Sequence, residues 1–276
     1  MSKKLYTLFF YFGLALFCIH SCTGFYTAED FPNEYEKAIE ELQYQIGYTG
    51  LYHSRSTDNI KEMSAVNNDG DIHTVYLTFD DGPSQRTVEI LDLLQEYNIK
   101  ATFFIVSGNS TADRDIIKRI YDEGHTIGVH SASHSYKEIY SSVDAFLKDF
   151  EICYDYIENI TGEAPVIFRF PGGSINNYNK KICKELINEM GRRGFTYFDW
   201  NVSSDDATKH SDEGSIYSKV MKGCKGRTSA VVLMHDSAPK KDTVAALKRI
   251  IPELLEQGFV FDRLSENVQP TVFKIE

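Results

Sequence analysis

From residue 74 onward, short runs of β-branched and aromatic residues alternate with longer amphipathic stretches. The runs predict seven strands, each followed by a polar or glycine-containing turn. They are Val75–Asp80, Ala101–Val106, Thr126–His130, Val166–Pro171, Phe195–Val202, Ala230–Asp236 and Phe259–Arg263. Helical periodicity fills most of the gaps, at Thr87–Tyr97, Arg114–Glu123, Val143–Ile160, Lys180–Arg193, Ser215–Lys222 and Thr243–Gln257. This alternation predicts an α/β fold with a parallel sheet, either closed as a barrel or open and doubly wound.

The first 24 residues differ from the rest of the chain. Lys3 and Lys4 precede an apolar run from Leu5 to Ile19, which predicts a secretion signal or a membrane anchor. Cys22 stands in a loose version of the sequence at which bacterial lipoproteins are lipidated, so a lipoprotein signal is a third alternative. We therefore expect an exported, extracytoplasmic protein, attached to the membrane if the segment is an anchor or carries a lipid.

The remaining chain divides into three parts. Residues 25–70 combine one amphipathic helical pattern with a stretch rich in Ser, Asn, Asp and Gly, which is typical of a spacer. Residues 71–265 carry the strand and helix alternation and form the predicted α/β domain. Residues 266–276 are interpreted as a C-terminal tail.

Composition narrows the function classes. Asp and Glu number 40 against 29 Lys and Arg, and the net charge of −11 argues against a nucleic-acid partner. The five cysteines show no C-x-x-C spacing, so neither a disulfide framework nor a thiolate metal site is indicated. No G-x-G-x-x-G follows the first strand and no P-loop occurs, which removes the usual nucleotide-binding fingerprints.

Polar side chains collect at or near the carboxyl ends of five predicted strands. They are Asp80, Asp81, His130, His134, Arg169, Asp199, His235 and Asp236. In a parallel barrel these ends meet on one face, where the active site lies. Any one of these residues alone is more often a turn or cap residue. Their recurrence on five strands predicts an active site.

Two histidines and a carboxylate among these residues suit a divalent cation. His130 and His134 with one carboxylate would leave positions open for water and substrate, which is typical of a catalytic site. Zinc is the default ion for such ligands, and Co²⁺, Fe²⁺ or Ni²⁺ also fits. Asp80 and Asp81 point to opposite sides of an extended strand, so one could bind metal while the other takes a proton. The alternative is a helix-capping turn.

Five motifs occur in order, and together they resemble the polysaccharide deacetylase family, also called the NodB homology domain or carbohydrate esterase family 4. They are TFDDGP (78–83), HSASH (130–134), RFPGG (169–173), FDWN (198–201) and LMHD (233–236). The resemblance covers residues 74–265. It implies a distorted (β/α) barrel of about seven parallel strands and a metal-dependent N-deacetylase.

The resemblance also implies a role for each motif residue. Asp81, His130 and His134 would ligate the metal, Asp80 would be the general base, Arg169 would orient Asp80, His235 would be the general acid, and Asp199 would hydrogen-bond to His235. A neighbouring opposite charge favours the charged form of a group. We therefore expect Arg169 to lower the pKa of Asp80 and Asp199 to raise the pKa of His235.

Substrate contacts are implied at four further positions. Trp200 and Leu233 would line a pocket for the acetyl methyl group. The N–H of Gly172, which follows Pro171, would stabilise the oxyanion. Family members often carry an aromatic or bulky residue at the Gly172 position, so a sugar-stacking side chain is missing there. Tyr136, Tyr140, Tyr178 and Phe170 are candidates to replace it.

Two other functions compete with deacetylation. Two histidines and a carboxylate also describe the metal site of non-haem iron oxygenases, although a separate base, acid and arginine suit hydrolysis better. A carbohydrate-binding protein without activity could keep the same fold. For an enzyme, export favours peptidoglycan amino sugars as the N-acetylated polysaccharide, with chitin oligosaccharides or acetyl-xylan as alternatives.

Overall fold

Strands and helices alternate through residues 72–108 and 110–274, the part of the chain that this computed structural model describes. In chain order they are β1 Thr74–Asp80, α1 Gln85–Glu96, β2 Thr102–Val106, α2 Thr111–Asp122, β3 Thr126–Ser131, α3 Tyr136–Ile139, α4 Val143–Thr161, β4 Ile167–Phe168, α5 Cys183–Arg192, β5 Thr196–Tyr197, β6 Val202–Ser203, α6 Glu213–Cys224, β7 Ser229–His235, α7 Lys241–Glu256 and β8 Val260–Phe261. All six predicted helices and six of the seven predicted strands are confirmed, with ends shifted by a few residues. The short helix α3 was not predicted.

The strands form one parallel sheet. Its order is β5-β4-β3-β2-β1-β7-β6, with β8 added to β1. β1 pairs with β7 along its whole length, while its other edge pairs first with β8 and then with β2. The edge strands β5 and β6 are consecutive in sequence, so the chain at 198–201 joins the two ends of the curled sheet. The predicted distorted (β/α) barrel is confirmed.

The predicted strand Phe195–Val202 is two separate strands, β5 and β6. Phe198 N–H still donates to Phe168 O in β4, at 3.0 Å, but Asn201 N–H donates to Val231 O in β7, at 3.1 Å. The chain therefore crosses from one edge of the sheet to the other between these residues. Aromatic and β-branched residues stand on both sides of this crossing, so the sequence pattern predicts one strand where the structure has two. The sheet has eight strands, and the end of β6 lies beyond Asp199.

Aromatic packing fills the interior around β1 and under α4. The ring of Phe79 stacks on that of Phe103 at a centroid distance of 5.1 Å. Further along the same face of the sheet, Phe150 of α4 packs edge-on against Phe168, at 5.4 Å, and against Phe195, at 4.9 Å. Each fully buried phenylalanine stabilises the fold by about 1.5–3 kcal/mol. This packing holds the strand ends in fixed relative positions.

Asp236 anchors the turn between β1 and α1. Its carbonyl accepts from Ser84 Oγ at 2.6 Å, and its Oδ2 accepts from Thr87 Oγ1 at 2.5 Å. Ser84 is the N-cap of α1. The carboxylate lies so close to Gly82 that an added Cβ would come within 2.2 Å of Asp236 Oδ2. Glycine is therefore required in the turn that follows the paired aspartates.

Several sequence predictions fall outside the described residues. They are the signal, lipoprotein or anchor segment 1–24, which includes Cys22, and the spacer 25–70. Within 72–108 and 110–274, no helix has the length and apolar character needed to cross a membrane. The predicted tail is described as far as residue 274, and Phe273 in it packs against Trp200 at 4.8 Å.

Gly82→Ala should lower the free energy of unfolding by roughly 1–3 kcal/mol, because the new methyl group overpacks the site against Asp236. Denaturant unfolding measures the change. Gly191→Ala in α5 is the matched control, since a Cβ there meets nothing within 4 Å. That variant should be neutral or slightly stabilised, because alanine favours helix over glycine. Equal stability of both variants would contradict the close approach at Gly82.

Candidate active site

Asp81, His130 and His134 converge at the carboxyl ends of β1 and β3, as predicted for a metal site. Asp81 Oδ1 lies 3.1 Å from His134 Nε2 and 3.6 Å from His130 Nε2. One ligand atom from each residue lies within 4.8 Å of the others. Asp81 Oδ1 is buried and accepts no hydrogen bond from the described residues. A buried carboxylate oxygen without a donor, facing two imidazole nitrogens, fits a divalent cation.

The protonation of His130 also suits metal binding. Its Nδ1 lies 2.8 Å from Arg169 O, and since a carbonyl only accepts, this nitrogen carries the proton. Burial lowers the pKa of His130 to about 3, so the ring is neutral. The Nε2 lone pair is therefore free on the side that faces Asp81.

Asp149, on α4, holds the loop that carries His134. Its carboxylate accepts hydrogen bonds from Ser131 Oγ at 2.5 Å, Ala132 N at 2.9 Å and Ser133 N at 2.8 Å. Ser131 Oγ in turn accepts from His134 N at 2.8 Å. Sequence reasoning missed this role, because an aspartate in a helical pattern is usually solvated. The contact depends on how α4 packs against β3.

Arg169 fixes Asp80, as the resemblance implied. The guanidinium is fully buried. Nη1 donates to Asp80 Oδ1 at 2.8 Å and to Thr78 Oγ1 at 2.7 Å. Nε donates to Phe198 O at 2.9 Å and Nη2 to Asp199 O at 3.1 Å. All three guanidinium nitrogens are therefore used, and the orientation of Asp80 is set by them.

The two oxygens of Asp80 face different partners. While Oδ1 is held by Arg169, Oδ2 lies 3.9 Å from His130 Nε2 and faces the metal ligands. Burial raises the pKa of Asp80, and this outweighs the opposing charges of Arg169 and His235. The expected lowering of that pKa is therefore wrong for the protein alone. A buried carboxylate is a stronger base than an exposed one, which suits proton abstraction.

His235 at the end of β7 is paired with Asp206. Its Nδ1 lies 2.7 Å from Asp206 Oδ1, and its backbone N–H donates to Asp206 Oδ2 at 2.8 Å. Thr243 Oγ1 also donates to Oδ2, at 2.8 Å. Burial alone would lower the pKa of His235, but the hydrogen bond and charge of Asp206 raise it above its ordinary value. His235 can therefore hold a proton near neutral pH, as a general acid must.

The predicted hydrogen bond between Asp199 and His235 is wrong. The Asp199 carboxylate accepts from Ser174 N at 2.8 Å, Ser174 Oγ at 2.6 Å and Phe273 N at 2.7 Å. The resemblance implied that pairing, but Asp199 lies in the segment that crosses from β5 to β6, within the single strand predicted over Phe195–Val202. The end of β6 is instead followed by the carboxylates of residues 205 and 206. Recognising a second strand before Ser-Ser-Asp-Asp would have identified Asp206.

The four predicted substrate contacts lie near the site but show different surroundings. Leu233 is buried in β7, directly before the strand's last residues. Trp200 is half-buried and packs against Phe273 and, at 5.8 Å, against the Arg169 guanidinium. The carbonyl of Pro171 accepts from Tyr140 OH at 2.8 Å. Lining of an acetyl pocket by Leu233 and Trp200 stays a prediction.

Gly172 adopts a positive φ of 74°, a conformation that favours glycine. Its N–H belongs to the turn that joins β4 to the 173–179 segment. The turn is held by Asn176 Nδ2, which donates to Pro171 O at 3.1 Å, and by Asn179 Nδ2, which donates to Gly173 O at 3.1 Å. The turn is thus fixed by side chains, and the predicted oxyanion role of its N–H stays a prediction.

A parallel (β/α) barrel thus brings the candidate metal triad, Asp80 and His235 together at the carboxyl ends of its strands. Comparison with known proteins identifies the family. The family model described as polysaccharide deacetylase matches residues 67–192. YheN of Bacillus subtilis strain 168, a polysaccharide deacetylase by name, is 33% identical over 215 residues, which cover 76% of this chain and 73% of YheN.

Two further relatives agree with this match. A peptidoglycan-N-acetylglucosamine deacetylase of Bacillus cereus is 33% identical over 196 residues, 69% of each chain. The solved catalytic domain of the peptidoglycan N-acetylglucosamine deacetylase from Eubacterium rectale is 38% identical, with a TM-score of 0.70, covering 76% of this chain and 96% of that domain. The chain belongs to the polysaccharide deacetylase family. It is a hydrolase that removes N-acetyl groups from a polysaccharide.

Asp206→Asn should move the alkaline limb of the kcat/KM pH profile to lower pH. The amide removes the charge that raises the pKa of His235, so the imidazolium loses its proton sooner. The profile is measured on a soluble N-acetylated oligosaccharide. Asp199→Asn is the matched control and should leave that limb in place. An alkaline limb that moves in Asp199→Asn but stays in place in Asp206→Asn would show that His235 is paired with Asp199 and not with Asp206.

Asp149→Ala should weaken metal binding roughly 10- to 100-fold, the usual cost of removing a residue that orients a metal ligand. The loop of His134 loses three hydrogen bonds while the ligands themselves remain. Zn²⁺ affinity is measured by competition with a chelating dye, and circular dichroism checks the fold. Asp155→Ala, an exposed position on the same helix, should bind metal normally. Unchanged affinity in Asp149→Ala would show that the loop is held by other contacts.

Proposed function

We propose that the protein deacetylates N-acetylated amino sugars of peptidoglycan outside the cytoplasm. The observation that carries the proposal is the array at the strand ends, in which Asp80 and His235 flank the triad of Asp81, His130 and His134. A base, a cation site and an acid together at the strand ends suit amide hydrolysis. The choice of peptidoglycan is supported by the names of the relatives from Bacillus cereus and Eubacterium rectale.

Zinc is the cation that we propose for the triad. Two neutral imidazoles and one carboxylate are common ligands of catalytic zinc, although Co²⁺, Fe²⁺ or Ni²⁺ would fit the same donors. When bound, such an ion polarises a carbonyl and makes water more acidic. The burial of Asp81 Oδ1 and the fixed tautomer of His130 support a preformed site.

The protein's own groups would carry the proton transfers. Asp80 Oδ2 faces the triad and takes a proton from the attacking water, while Arg169 keeps Oδ1 in place. The N–H of Gly172 donates to the oxyanion of the tetrahedral intermediate, a type of contact whose loss typically costs about 10²–10³ in rate. His235, kept charged by Asp206, gives its proton to the leaving amine.

Export and membrane attachment remain part of the proposal. They rest on the basic and apolar pattern of residues 1–24 and on Cys22. A substrate outside the membrane is consistent with that pattern. The oxygenase alternative has no task for the base, the acid or the orienting arginine, so we do not favour it.

Asp80→Asn should keep the metal but lose turnover by several orders of magnitude, because an amide cannot accept the proton from water. Metal content is measured by elemental analysis, and acetate release is measured on the same preparation. His134→Ala is the comparison variant and should lose metal and activity together. Loss of metal in Asp80→Asn would make Asp80 a ligand instead of the base.

The substrate is tested by incubating the full chain with purified peptidoglycan, chitin oligomers and acetylated xylan. Mass spectrometry should show loss of acetyl groups from the amino sugars of peptidoglycan. Asp80→Asn protein is the control for spontaneous loss. Faster deacetylation of chitin oligomers or acetyl-xylan than of peptidoglycan would overturn the proposed substrate.

A further inference from the structure

Tyr136 occupies the space next to Gly172. A Cβ added at Gly172 would come within 2.6 Å of Tyr136 Cε1 and 3.1 Å of its hydroxyl oxygen. Any larger residue at position 172 would therefore displace this ring, apart from the strain of a positive φ. Gly172 and Tyr136 are thus matched to each other. The ring occupies the space into which a side chain at position 172 would project. We call the turn at residues 171–173 the oxyanion turn.

Only two of the four aromatic candidates named from the sequence are accessible. Tyr140 is 6% exposed and Phe170 is 1% exposed, so both are core residues. Tyr136 is half-buried, and Tyr178 is 58% exposed. Among the exposed large apolar residues of the described chain, Tyr178 is the aromatic one. Burial therefore leaves Tyr136 and Tyr178 as the candidates that could contact a sugar, a choice that the sequence left open.

The two accessible rings form a row that starts at the metal ligands. The ring of Tyr136 meets that of His134 edge-on at a centroid distance of 5.2 Å. The ring of Tyr178 follows at 5.3 Å from Tyr136. The row therefore extends outward from the triad, on the side of the oxyanion turn.

The position of Tyr178 is built into the loop. Asn176 Oδ1 accepts from Tyr178 N at 2.8 Å and from Asn179 N at 3.1 Å. The amides of Asn176 and Asn179 in turn bind the carbonyls of the oxyanion turn, including Gly173 O at 3.3 and 3.1 Å. An exposed ring held at a fixed distance from the turn loses little entropy on binding a ligand.

We propose that Tyr136 and Tyr178 form a sugar-binding subsite that packs against the apolar face of a pyranose ring next to the one being deacetylated. The inference rests on the proposed function, because it requires a polymeric substrate. Aromatic rings bury large apolar area, and carbohydrate sites combine such surfaces with a few oriented polar groups. In this subsite, Tyr136 at the start of α3 takes the place of a side chain at position 172. It would favour chains of several sugars over a single sugar.

The test measures binding without turnover. In the Asp80→Asn background, the affinity for a linear pentamer of N-acetylglucosamine is compared with and without Tyr178→Ala, by calorimetry on metal-loaded full chain. We expect Tyr178→Ala to weaken binding roughly five- to tenfold, the effect of losing one aromatic anchor. Tyr178→Phe keeps the ring and should restore most of the affinity. Ile152→Ala, an equally exposed position on α4, should not change it.

A kinetic measurement separates this role from a structural one. In the otherwise unaltered chain, Tyr178→Ala should raise the KM for the pentamer with little change in kcat, and thermal stability should stay the same. Equal pentamer affinity with and without Tyr178→Ala would overturn the subsite, even if deacetylation is observed. A weakened affinity with no deacetylation of any polymer by the unaltered chain would support the subsite and overturn the proposed function. No measurable pentamer binding would overturn the subsite as well.

Discussion

The guanidinium of Arg169 lies fully buried between β1 and the crossing from β5 to β6, and it donates to four oxygens. A buried charge is stabilised only when it is paired and all its donors are used. Here the partners are Asp80, Thr78 on the same strand and two carbonyls of the crossing segment. The carbonyl of Arg169 itself accepts from His130. One residue therefore couples Asp80, His130 and the segment that joins the edges of the sheet.

Negative charge exceeds positive charge at this end of the barrel. Asp80, Asp81, Asp206 and Asp236 lie near the strand ends, whereas the permanent cations in contact with them are Arg169, at the Asp80 carboxylate, and Lys240, at the carbonyl of Asp206. Burial, together with the charges of Asp81 and Asp80, raises the pKa of Asp236 to about 7. A divalent cation at the triad would offset this excess, because it would lower the cost of keeping Asp80 and Asp81 ionised. The electrostatics and the geometry thus favour the same ion site.

The sequence was sufficient for residues whose role depends on the strand ends. Asp80, Asp81, His130, Arg169 and His235 each follow or end a strand, and parallel strands bring such ends together whatever the details of packing. It failed where position depends on how the chain crosses between strands. The pairing of Asp199 with His235 was implied by the resemblance, and a pattern interpreted as one strand over residues 195–202 did not reveal the break between β5 and β6, after which Asp206 reaches His235. Asp149 was missed because only the packing of α4 against β3 brings it to the loop that carries His134.

Two residues of the proposed cation site adopt left-handed backbone conformations, which are uncommon for residues other than glycine. Asp81 has φ of 72° and His134 has φ of 52°, and such left-handed positions cost about 1–3 kcal/mol each. They persist because the surroundings fix them: Asp236 anchors the turn after Asp81, and Asp149 with Ser131 fixes the loop before His134. Both supports lie outside the set of groups that would touch substrate. The backbone strain at Asp81 and His134 therefore lowers the stability of the fold. In return, both side chains are held in one arrangement before a cation or substrate binds.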